Sequence, residues 1–127
     1  MPSASRRRPS GRAIGRALLN VLFVCSRNQW RSPTAEHVWR RLDGVEVRSA
    51  GVSPQARRQV RDTDLIWADV VFVMETRHKK QLAAQFPDLC AVRRIEVLDI
   101  PDDYAFMDPE LVAMFEALAD AVLGRPI

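Results

Sequence analysis

Cys25 and Arg31 stand six positions apart in VCSRNQWRS (24–32), behind an apolar run and ahead of a helix-like stretch. A thiol attacks only as its thiolate, and the unpaired N–H groups of a helix N-terminus favour that anion. The intervening residues, Ser26, Arg27, Asn28, Gln29 and Trp30, can curl their backbone amides inward as an anion nest. Arg31, at the helix start, can then set two N–H groups on two oxygens of a tetrahedral oxyanion. The natural ligand of such a loop is a phosphate monoester. Ser32 can donate its hydroxyl to the thiolate, and Asn28 is a residue type that tolerates the left-handed backbone a tight nest requires.

These groups need a strand to end at the cysteine and a helix to begin at the arginine. ALLNVLFV (17–24) is too short for a buried helix and reads as a buried strand. In SPTAEHVWRRLDG (32–44), Ser32, Pro33 and Glu36 mark a helix start, Ala35, Val38, Trp39 and Leu42 recur at helical spacing, and Gly44 makes a stop. VEVRSAG (45–51) is a second strand, 53–68 has weak helical periodicity, and DVVFVME (69–75) is a third, buried strand. A basic helix over 76–86 is bounded by Pro87, and RIEVLDI (94–100) is a fourth strand. The last helix, 108–124, has Pro109 and Glu110 at its front and Leu111, Met114, Phe115, Leu118 and Val122 on one face. Alternating strands and helices predict a three-layer α/β fold, a four-stranded parallel sheet flanked by helices and doubly wound. Ligands of such sheets bind at the carboxyl ends of the strands, where the cysteine loop falls.

At 127 residues and 47% hydrophobic, the chain has the size of one domain with a core. Cys25 and Cys90 form no metal-ligand spacing, and no apolar run would span a bilayer. The beginning of the chain lacks the apolar core of a secretory signal, so reduced thiols and a cytoplasmic location are expected, with no membrane partner. The sequence pI of about 9.4 suggests nucleic acid until the charges are located. Arg6, Arg7, Arg8, Arg12 and Arg16 fall in the first 20 residues without an acid, leaving 14 of the 19 basic side chains against all 16 acids in the remainder. Residues 1–17 therefore read as a basic disordered tail and 18–127 as the single folded domain, with nucleic-acid binding through the tail a minor reading. Cys90 is expected as inert packing, Trp39 and Trp67 as core, and Trp30 at the pocket mouth. His37 and His78 are expected to be solvated or half-buried, and Arg77, Lys79 and Lys80 to form a solvated helix face. Tyr104 is left open between the substrate entrance and a turn.

VLFVCSRNQWRSPTAEHVW resembles the phosphate loop of the low-molecular-weight protein tyrosine phosphatases. VRSAG (47–51) is similar to that family's Ser-Ala-Gly after its second strand, WADVVFVMETRHKKQL (67–82) to its third strand and following helix, and IPDDYAFMDPEL (100–111) to its Asp-Pro-Tyr loop. The resemblance implies that Cys25 attacks phosphorus and that Arg31 and the loop amides hold the equatorial oxygens. It also implies that Ser49 braces Asn28, and that Asp102 is the general acid, with Asp103 and Asp108 as rivals. Asp102 would protonate the leaving group and then activate water against a phosphocysteine. No metal or organic cofactor is implied; the partners would be a phosphorylated substrate, phosphotyrosine among the candidates, and phosphate or sulfate in the loop. The chain departs from the pattern with Arg27 for a glycine, Trp30 for a second cysteine, Asp102-Asp103 for Asp-Pro, and a shorter segment between Gly51 and Asp69. An arsenate reductase on this fold would need more thiols than Cys90 supplies. A non-catalytic phosphate- or phosphopeptide-binding module would keep Arg31 and the nest.

Overall fold

Strand β1 (Leu19–Cys25) is the axis of the molecule, with Val21 to Cys25 buried. The computed structural model describes residues 18–124, so the tail read at 1–17 lies outside the described residues. Alternate side chains of β1 enter two different cores. Val21, Phe23 and Cys25 pack with Trp39, Phe72, Leu111 and Phe115, while Leu22 and Val24 pack with Val60, Leu65 and Leu82. Burial on both faces is why this strand reads as an unbroken apolar run rather than an alternating one. Phe23 sits in an aromatic cluster, its ring centroid 5.1 Å from Trp39, 5.5 Å from Phe72 and 5.7 Å from Phe115.

The sheet is parallel throughout, in the order β2-β1-β3-β4, with β2 at Val45–Gly51, β3 at Val70–Val73 and β4 at Arg94–Val97. Helix α1 (Arg31–Trp39) joins β1 to β2, and α2 (Asp62–Trp67) precedes β3. Helices α3 (Thr76–Gln85) and α4 (Pro87–Val92) follow β3, and α5 (Pro109–Leu123) closes the described chain. After β2 the chain crosses to the other side of β1 to lay down β3, so the carboxyl ends of β1 and β3 flank the topological switch point. Cys25 is the last residue of β1 and pairs in register with Gly51.

The expected four strands and flanking helices are all present, with four local differences. The first helix, expected over 32–44, ends at Trp39, where the Leu42 N–H closes a tight turn onto Trp39 O ahead of Gly44 at φ 82°. The weak helix expected over 53–68 is confined to Asp62–Trp67. Ahead of it, the N–H groups of Val52, Ser53 and Arg57 donate to the carbonyls of Cys25, Ser26 and Arg27, so this stretch braces the cysteine loop instead of coiling. Pro87, expected to end a helix, also begins α4, because its fixed φ suits a first helical position. Strand β4 stops at Val97, although Leu98 and Ile100 still donate to Val73 and Met74; Asp99 between them turns to φ 58°.

Candidate active site

The loop from Cys25 to Arg31 is built from β1, α1 and their neighbours. Asn28 has a left-handed backbone, φ 56°, as expected for its place in the nest. Its side-chain amide donates to Ser32 Oγ at 3.0 Å and to Ser49 Oγ at 2.9 Å. The Ser49 hydroxyl in turn donates a hydrogen bond to the carboxylate of Glu36. Ser32 Oγ lies 3.0 Å from Cys25 Sγ. Ser32 Oγ accepts from Asn28 and lies 3.4 Å from Ala50 O, so its one proton has two acceptors, that carbonyl and the sulfur; a Cys25 thiolate, being charged, would draw it as the stronger one. Gly51 closes the loop from behind: a Cβ there would lie 2.5 Å from Ser26 O and 2.7 Å from Ala56 Cβ, so only glycine fits.

Arg31 is buried, only 2% exposed. Its Nη1 donates to Ile100 O at 2.7 Å and to Glu75 Oε1 at 3.1 Å, and its Nε lies 3.6 Å from Asp102 Oδ1. Glu75 also receives Arg77, at 2.7 Å from Nη2. Burial alone would raise the Glu75 pKa, but the two guanidiniums outweigh it and hold the carboxyl below its ordinary value. A buried arginine must have its charge matched, and Glu75 does so while leaving the rest of the fork near the cavity. That cavity, of about 330 Å³, is lined by Cys25, Arg27, Gln29, Arg31, Arg77 and Asp102, with Ser26 and Trp30 completing the wall. Arg27 adds a cationic edge in the open mouth, where it is exposed.

The structure therefore brings Cys25, Arg31 and Asp102 to one cavity with Ser26, Arg27, Gln29 and Trp30, while Asn28, Ser32 and Ser49 stand behind them. Asp103 lines a neighbouring groove with Trp30, Asp102, Tyr104 and Ala105. Asp108 caps α5, its carboxylate accepting from the N–H of Glu110 at 2.9 Å. Tyr104 takes the entrance placement, lining the groove beside the cavity and half-buried against the β1 core, and the turn falls after it at Phe106 and Met107. Trp30 stands at the mouth, 46% exposed, and Trp39 is core; Trp67 is only half-buried, its ring under Arg48 with the guanidinium carbon 4.1 Å from the centroid. Two expectations are corrected: Trp67 falls short of the core, and His78 is fully buried rather than solvated or half-buried, because Ser26 and the Glu75 N–H satisfy both ring nitrogens. Arg77 is exposed with Lys79 and Lys80, as expected, and its guanidinium pairs with Glu75 at the edge of the cavity. Cys90 is a half-buried free thiol whose pKa burial raises, as inert packing requires. Glu36, Glu75 and His78 were missed as site residues. The legible signals were Glu36 one turn after Ser32, and His78 one turn before the buried Leu82.

Among the described residues, no three His, Cys, Asp or Glu side chains are grouped to hold a metal ion, and no helix is long and apolar enough to cross a membrane.

A Cys-x5-Arg loop at the carboxyl end of the first strand of a four-stranded parallel sheet, with the arginine buried, places the chain among doubly wound α/β proteins that carry a cysteine loop at the switch point. Among these, the chain has the fold of the low-molecular-weight protein tyrosine phosphatases. It is similar to the YwlE arginine phosphatase from Geobacillus stearothermophilus, with 25% identity over 84% of this chain and 94% of that one and a TM-score of 0.68. It is also similar to the low-molecular-weight protein tyrosine phosphatase from T. tengcongensis, with 24% identity, 81% and 99% covered, and a TM-score of 0.66. A third is Vibrio vulnificus Wzb in complex with benzylphosphonate, with 22% identity, 85% and 97% covered, and a TM-score of 0.64. No protein-family model and no curated protein sequence matches the chain.

Proposed function

We propose that this protein is a cysteine-dependent phosphomonoesterase of the low-molecular-weight protein tyrosine phosphatase type. The observation that carries the reading is the convergence of Cys25, Arg31 and Asp102 on one cavity, with Ser32 Oγ 3.0 Å behind the sulfur. In the first step the Cys25 thiolate attacks phosphorus. The S–P bond forms as the P–O bond to the leaving group breaks, and Asp102 gives its proton to the departing oxygen. Arg31 and the inward amides of the loop hold the equatorial oxygens, where charge gathers in the transition state. In the second step Asp102, now ionised, takes a proton from water as that water attacks phosphorus. The S–P bond breaks, inorganic phosphate leaves, and Ser32 receives the thiolate back as a hydrogen-bond acceptor. Asp102 is 48% exposed, which gives it access to that water. The substrate is a phosphorylated side chain; Trp30 and Tyr104 beside the cavity suit the ring of a phosphotyrosine. The reading places the protein in the cytoplasm, with residues 18–127 as one catalytic domain and no metal taking part.

The test is hydrolysis of p-nitrophenyl phosphate, under reducing conditions without added metal, by wild type beside Cys25→Ser. Turnover that the substitution abolishes, with phosphate binding retained, is expected. Undiminished hydrolysis by Cys25→Ser would sink the mechanism; no turnover by folded wild type would leave a phosphate-binding module.

A further inference from the structure

Ser26 and His78 meet 52 positions apart in sequence, with His78 Nε2 3.0 Å from Ser26 Oγ. Neither contact made by His78 is part of the phosphoryl-transfer steps above. The ring is fully buried, and its other nitrogen, Nδ1, lies 3.0 Å from the backbone nitrogen of Glu75. That N–H can only donate, so Nδ1 must accept and carries no proton. The neutral ring then bears its hydrogen on Nε2. Glu75 Oε1, 3.8 Å from the same nitrogen, favours that placement. Nε2–H has one acceptor within hydrogen-bond distance, the hydroxyl oxygen of Ser26. With a lone pair of Ser26 so occupied, the hydroxyl proton has to point elsewhere, and Ser26 lines the cavity beside Cys25 and Arg31.

We infer that His78 is a positioning residue that locks the Ser26 hydroxyl as a donor aimed at the phosphoryl oxygens. This rests on the phosphatase reading of the cavity. The same geometry denies His78 a role in proton transfer, since an imidazolium would set an Nδ1 hydrogen against the Glu75 N–H. The charges facing the ring are Arg31 from α1, Arg77 from α3, Glu75 at the α3 N-terminus and Asp102 from the loop before α5. Burial, then Arg31 and Arg77, depress its pKa to about 4 against the opposing pull of Glu75 and Asp102. The donor is therefore in place unchanged from pH 5 to 8.

The two hydrogen bonds of the ring can be separated by substitution. His78→Asn retains an acceptor for the Glu75 N–H but cannot reach Ser26. His78→Gln presents an N–H near the Nε2 position. Titration calorimetry with inorganic phosphate on the full chain is expected to show binding weakened about tenfold by Ser26→Ala and by His78→Asn, the loss of one hydrogen bond to a charged ligand. The double variant Ser26→Ala/His78→Asn should bind no more weakly than Ser26→Ala, and His78→Gln should recover most of the wild-type affinity. The pH profile of kcat/KM should keep its shape in every variant that turns over. Wild-type affinity in His78→Asn, or independent losses that multiply in the double variant, overturn the inference while leaving the phosphatase reading intact. A wild type that binds no phosphate overturns both. Should His78→Asn not fold, long-range proton–nitrogen spectra of wild-type His78 decide: the Nε2–H tautomer at every pH from 5 to 8 supports the inference, and an Nδ1–H tautomer or a titration in that range overturns it.

Discussion

Asn28 Nδ2 lies 2.9 Å from Ser49 Oγ, a hydrogen bond that ties the cysteine loop to β2 across 21 positions of chain. The same amide reaches Ser32, so one side chain joins the brace, the loop and the hydroxyl behind the nucleophile. Asn28→Ala removes both bonds and leaves at φ 56° a side chain without the local hydrogen bonding that lets asparagine tolerate this conformation, where the backbone strain is about 1–2 kcal/mol. Asn28→Gly relieves the strain but restores neither bond. Thermal unfolding should rank wild type above Asn28→Gly above Asn28→Ala, while both variants lose tenfold or more in kcat. Wild-type turnover by Asn28→Gly would mean that the amide does not organise the site.

Asp102, beside the buried Arg31, is expected to be the proton donor to the leaving oxygen. Asp102→Ala should slow hydrolysis of a poor-leaving-group ester by about 10²–10⁴-fold, the usual worth of a positioned acid. With p-nitrophenyl phosphate, whose phenolate leaves readily, the loss should be smaller. Asp103→Ala should retain most activity. Steady-state rates against a series of aryl phosphates test this, and a leaving-group dependence unchanged in Asp102→Ala would contradict it.

Asp108 differs from both neighbours because it caps α5. Asp108→Ala should cost about 1 kcal/mol of stability, as cap removal typically does, with turnover retained. Denaturant unfolding beside kinetics separates these; a variant as stable as wild type but slow would return Asp108 to the catalytic candidates.

Gly51 faces the back of the loop so closely that a methyl group there meets Ser26 O and Ala56 Cβ. Both are backbone or short, with no flexible end to move aside, so Gly51→Ala must displace the loop. Phosphate affinity should fall together with the melting temperature. An alanine variant with wild-type phosphate binding would show that the loop has slack in this direction.

Acid should unfold the protein in two stages. The pKa of His78 falls from 6.5 in the free chain to about 4 in the fold, so between those values the unfolded chain binds more protons and stability rises with pH. The stability from its buried neutral ring is whole above about pH 6.5 and is lost as pH falls toward 4. Asp64 and Glu75 act lower. Burial raises the Asp64 pKa, but the Arg61 N–H and the guanidiniums of Arg58 and Arg48 overcome it and hold it down. Both carboxylates stabilise above the ordinary carboxylate range and lose that contribution as pH falls through their depressed values. Melting temperature against pH should decline already below 6.5, and His78→Gln should flatten that upper limb alone.

The layout is written locally in the chain: β1, the start of α1, the Cys25–Arg31 loop and the last helix are legible because their signals are local. An apolar run must be buried on both faces, a proline suits a first helical turn, and a capped 3.6-residue period has one reading. Cys25, Asn28, Arg31 and Ser32 were accessible for the same reason, since eight consecutive positions carry their spacing. Tertiary structure alone decided which distant groups complete the site. Glu75 is 44 residues from Arg31 and His78 is 52 from Ser26, and nothing near either pair in the chain marks the partner. Register and crossover bring the carboxyl ends of β1 and β3 side by side, and only there does a buried arginine need a carboxylate and a buried imidazole need two partners. The same reason governs 53–60, whose composition permits a helix. The N–H groups of Ser53 and Arg57 are instead bonded to the carbonyls of Ser26 and Arg27 in the cysteine loop, a competition that no local pattern records.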